Sequence, residues 1–132
     1  MKRVVTLLVL LVALAGCVSP AWDDHDYALK AQASAESVSS TVRIVRVAVQ
    51  DSGRLTRPYL KTVLTEAAGD LDAVADRFGG VQPPSERSDQ VRDRLLDRIQ
   101  RAEDVVDDLL IQVRRNGIED PARAVRELEA VG

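Results

Sequence analysis

Apolar residues recur at alternating steps of four and three along most of this chain, and that period restricts the fold more than any other feature. Ala31, Ala35, Val38, Val42, Val45 and Val49 follow it first, then Leu60, Leu64, Ala67, Leu71, Val74 and Phe78. A third and longest run carries Val91, Leu95, Ile99, Ala102, Val106, Leu109 and Val113, and a short fourth carries Val125, Leu128 and Val131. This spacing puts each set on one face of a helix packed lengthwise against neighbours. A half-buried strand needs a period of two, so the many valines do not indicate sheet.

Breaks between the runs have the chemistry of helix ends. Ser52-Gly53 is expected to stop the first helix, because glycine takes the left-handed conformation at little cost. Pro58 marks a new start, since its missing N–H is harmless in a first turn. Gly79-Gly80-Val81-Gln82-Pro83-Pro84 ends the second run, and Ser85 or Ser88 can cap the third. Arg114-Arg115 suit the negative end of a helix dipole, and Asn116-Gly117-Ile118 reads as a glycine cap with its apolar follower. Asp120-Pro121 then opens the last helix as cap and first helical residue. Short connections imply antiparallel neighbours. The expected fold is therefore all-α, an antiparallel up-down helical bundle of three long helices plus a short C-terminal helix. The alternative is an extended coiled coil completed by oligomerisation, against which the Gly79 to Pro84 break argues.

Upstream of the bundle the pattern changes. Lys2-Arg3 precede an apolar stretch from Val4 to Leu14, which gives way to small residues. A basic start, an apolar core and a small-residue end make an export signal, and the stretch is shorter than the roughly 20 residues that span a bilayer. Leu14-Ala15-Gly16-Cys17 resembles the lipobox of bacterial lipoproteins. The resemblance implies cleavage between Gly16 and Cys17, with diacylglycerol carried on the sulfur of Cys17. Ala13-Leu14-Ala15 also matches ordinary secretory cleavage, which would leave Cys17 as a free thiol. Cys17 is the only cysteine, so no intramolecular disulfide can form, and lipidation removes an otherwise exposed thiol from an oxidising compartment.

The organisation expected is a signal peptide over 1–16, a lipidated cysteine and tether over 17–25, and a helical domain over 26–132. One acyl chain anchors marginally, and the family modification attaches at least two. The resemblance places the chain on the outer face of the cell membrane. In a diderm the alternative is the outer membrane, because Val18 stands where the family's inner-membrane retention signal is usually Asp. Losing Lys2 and Arg3 with the signal moves the formal net charge from −3 to about −5. That acidic balance leaves no electrostatic footprint for nucleic acid and no polybasic patch for anionic lipid. Trp22 is expected either to enter the membrane interface or to pack under the bundle's end. Asp23, Asp24 and Asp26 favour a domain held upright from an anionic surface.

Chemistry has few places to reside. His25 is the only histidine, and no second histidine or free cysteine exists to share a metal with it, so a solvated linker is the expected role. No Gly-x-Ser-x-Gly turn, Ser-x-x-Lys motif or phosphate-binding glycine loop is present. Glu66, Asp70, Asp72 and Asp76, with Glu103, Asp104, Asp107 and Asp108, sit at spacings that share faces, as a calcium site or a solvated helix surface would. Neither group has the glycine-containing loop of an EF-hand. No catalytic residue, metal or cofactor is assigned, and no enzymatic role is expected.

One helix is apolar over too much of its circumference. At 100° per residue Val38, Val42, Val45 and Val49 form one stripe, while Ile44, Val47 and Ala48 extend apolar surface well past the usual arc. Either the short C-terminal helix covers Ile44 and Ala48 with Val125 and Leu128, or Ile44, Val47 and Ala48 form a partner surface. Taken whole, the chain resembles small helical lipoproteins of bacterial surfaces, specifically over Lys2 to Cys17 and generically beyond. The resulting expectation is a non-enzymatic, lipid-anchored module of the cell envelope that binds a protein partner or serves structurally. The alternative is an accessory protein holding a small apolar or lipid ligand within the bundle.

Overall fold

The computed structural model describes residues 20–132. Four helices follow one another: α1 (Asp24–Gln50), α2 (Arg57–Gly79), α3 (Glu86–Arg115) and α4 (Pro121–Val131). The fold is the all-helical bundle that the period predicts, three long helices and a short fourth, with no strand among the described residues. No helix among them is long and apolar enough to cross a membrane.

The core is the predicted seam. Val38, Val45, Val49, Leu71 and Val106 are fully buried, as are Leu64, Ile99, Leu109 and Leu128. Ala35, Val74, Val91 and Val125 sit half-buried at its margin. Tyr27, four residues before Ala31, extends the seam toward the start of α1 and is completely enclosed. Its ring meets Phe78 of α2 at 5.4 Å between centroids, tilted by 49°, which closes the end of the bundle nearest the chain's N-terminus.

Capping explains most boundaries. Thr56, Ser85 and Asp120 are the N-caps of α2, α3 and α4, with Pro58 and Pro121 in the first turns. Gly117 has φ of 114°, and its N–H donates to the Gln112 carbonyl, so the glycine cap after α3 is as expected. The start of α1 and the conformation of Gly53 differ from the sequence reading. Helix α1 begins at Asp24, because Asp23 is an N-cap that accepts from the Asp26 N–H at 2.8 Å. His25 therefore lies in the first turn of α1 and not in a linker. The first helix ends at Gln50 with Asp51 as C-cap, just ahead of Ser52-Gly53 as expected, but Gly53 does not adopt positive φ. A turn held by the Arg54 and Leu55 N–H groups on the Asp51 carbonyl does that work.

The short helix takes the opposite flank of α1 from the one anticipated. Arg46 of α1 pairs with Glu129 of α4 at 3.7 Å, and the Arg98 guanidinium of α3 donates to the Val131 carbonyl and the Ser39 hydroxyl. Val125 and Leu128 turn into the core beside α1 and α3 and do not cover Ile44. Trp22 does not pack under the bundle; it is 85% exposed just ahead of α1.

Candidate functional site

Because α4 occupies the Arg46 flank, the other flank of α1 is left to α2 alone. There Ile44 and Val47 remain 59% and 51% exposed, whereas Ala48 is buried. Of the three expected residues, two are exposed and Ala48 forms a covered floor between them. Leu55 of the connection and Tyr59 and Val63 of α2 complete a groove of about 380 Å3 with Ile44, Val47 and Ala48. Tyr59 is 55% exposed although it is large and mostly apolar. Arg43 and Asp51 mark the rim, and Asp51 is engaged by Arg54 at 3.8 Å. At 1.5 Å per residue the groove stands about 30 Å along α1 from Asp24, toward the end remote from the N-terminus.

Leu55, Tyr59 and Val63 were not singled out in the sequence. The signal present was the i,i+4 pair Tyr59 and Val63, which lies off the Leu60-Leu64 seam on one side.

The opposite end is polar but structural. Asp24, on the first turn of α1, accepts from the Ser88 hydroxyl at 2.6 Å and from the Ser85 hydroxyl, tying α1 to the start of α3. Those two hydroxyl donors hold its carboxyl below the ordinary range, with Arg87 adding a smaller effect. The Arg92 guanidinium donates to the Gly79 carbonyl at 2.9 Å and so caps α2 from α3.

Of the acidic groups, Glu103 of α3 comes close to Asp72 and Asp76 of α2. Among the described residues no three His, Cys, Asp or Glu side chains are arranged to hold a metal. Glu103, half-buried between the two helices, has its carboxyl pushed up by burial first, and then by the charges of Asp72, Asp107, Asp104 and Asp76. A carboxyl raised on folding contributes stability that is complete below its unfolded value and lost as pH rises through its folded value. Glu103→Gln is therefore expected to melt about 2 °C higher than the wild type at pH 7, the scale of one relieved like-charge i,i+4 pair with Asp107. In thermal melts from pH 3 to 8 the advantage vanishes toward the acid end; an advantage largest at pH 3 contradicts the assignment.

Gly16 and Cys17, the expected cleavage and lipidation residues, lie outside the described residues. No family model, no curated protein and no solved structure matches this chain.

Proposed function

We propose that the chain is a lipid-anchored, non-enzymatic helical module of the bacterial cell envelope that presents its α1–α2 groove to a protein partner. The anchor rests on Leu14-Ala15-Gly16-Cys17 and the preceding export pattern. The observation that carries the interaction role is the apolar groove around Ile44, Val47 and Tyr59, which gathers three of the large exposed apolar side chains beside a buried seam. Contiguous apolar surface of this kind marks interaction sites on soluble domains. Its place favours a partner above the membrane, since the Asp23, Asp24 and Asp26 carboxylates cluster at the tether end and the groove stands at the other.

The reading of a carrier with a ligand inside the bundle gains less support. The interior between the four helices is occupied by Tyr27, Phe78 and the buried Val, Leu and Ile side chains, which interlock at the seam.

Substitution separates docking from folding. Ile44→Asp and Val47→Asp remove apolar surface that is already half in water, so each is expected to change stability by less than about 1 kcal/mol. Each is expected to abolish crosslinking in the host envelope between the anchored chain and whichever polypeptide the wild type captures. Loss of the fold in either variant makes its residue core, and retained crosslinking in both moves the docking surface elsewhere.

A further inference from the structure

A second surface at the same end of the bundle has different chemistry. Arg57, Pro58, Lys61, Val113 and Arg114 line an open cleft of about 500 Å3 between the start of α2 and the end of α3. Arg57 and Lys61 are four residues apart on α2, a spacing at which like charges repel. They also stand at the positive end of that helix, whose first turn contains no acidic residue. Arg114 is favourably placed on its own helix, in the last turn, yet it adds a third cation to the same cleft. Salt bridges among the described residues engage Arg46, Arg54, Arg101 and Arg123, and none engages Arg57, Lys61 or Arg114. A chain of net charge −3 thus places three cations without a carboxylate partner around one cleft.

From this arrangement we infer that the cleft binds a phosphate group. Two guanidinium forks match the oxygens of a tetrahedral oxyanion in bidentate fashion, and the lysine adds a compact charge. The amides of α2 contribute little, since Pro58 has no N–H and the Tyr59 N–H is directed to the Thr56 hydroxyl. Glu66 lines the adjoining depression beyond Lys61, which sets the anion on the side between Arg57 and Arg114. The cleft opens to solvent, so the phosphate can be free or part of a larger chain.

The test titrates the full chain with inorganic phosphate and, separately, with linear polyphosphate, at ionic strength held constant with chloride. Saturable NMR shifts centred on Arg57, Lys61 and Arg114 are expected. Arg57→Gln, Lys61→Gln and Arg114→Gln should each weaken binding about threefold or more, as lost charge-assisted contacts do. The triple variant should lose the response and, being relieved of repulsion, melt higher than the wild type in phosphate-free, low-salt buffer. Arg101→Gln, whose partner is Asp97, should bind as the wild type does. Saturation by inorganic phosphate supports a free ligand, and saturation by polyphosphate alone supports a polymer. Failure of both to saturate, or an equal response in the triple variant, overturns the inference.

Discussion

Phe78→Ala is expected to lower the melting temperature by about 15–25 °C, among the largest stability losses available to a single side-chain truncation in this bundle. Phe78 is 1% exposed and shares the closure of the lower end with Tyr27, which is fully buried. Truncation removes the transfer energy of the ring and leaves a cavity that its surroundings cannot fill. Val81 is fixed above it by its N–H on the Phe78 carbonyl, and the following Gly79 carbonyl is held by Arg92. A cost of about 3–5 kcal/mol is typical of such a change and is a large share of the 5–15 kcal/mol that keeps a domain folded. Tyr59→Ala is the internal control: its ring is 55% exposed, and the loss should stay below about 1 kcal/mol. Calorimetric melts of both variants decide the matter, and equal losses would mean that the core is not where the helices place it.

How much of this was legible in the sequence follows from what a single helix's period can encode. The inward positions were legible residue by residue, because a four-three spacing fixes which side chains share a face whatever they pack against. Leu64, Leu71, Ile99, Val106 and Leu128 are buried for that reason. Caps with one chemistry were legible too, as at Asp120-Pro121 and Gly117. Asp23 was not, because among three carboxylates within four residues a capping carboxylate and a solvated one look alike. Gly53 misled by residue type: it lies in a turn that needs no positive φ.

The candidate groove was half legible. Ile44 and Val47 were marked by the excess apolar arc of their own helix. Leu55, Tyr59 and Val63 became part of it only because α4 packs beside Arg46 and not beside Ile44, and periodicity does not specify which flank a fourth helix takes. Ala48, marked with Ile44 and Val47, is buried yet lines the same groove. The basic cleft was invisible in sequence, as Arg57 and Lys61 meet Arg114 only through the antiparallel pairing of α2 with α3.

Cys17→Ser is expected to abolish lipid attachment completely, the largest effect of any substitution outside the helices. The sulfur is the acceptor of diacylglycerol in the lipobox reading, serine offers no thioether, and this is the chain's only cysteine. Anchoring by two or more acyl chains is stable, so its loss moves the protein from the membrane fraction to the soluble fraction or leaves the uncleaved precursor in the membrane. The helical domain itself should be unaffected, because its core begins at Tyr27 and involves no cysteine. The decisive measurement is incorporation of labelled palmitate in the host, together with the intact mass of the mature chain. The account predicts label in the wild type, none in Cys17→Ser, and a mature N-terminus at a diacylglyceryl-modified Cys17. Label retained in the variant, or an unlipidated wild-type chain beginning at Gly16 after cleavage behind Ala15, would contradict it.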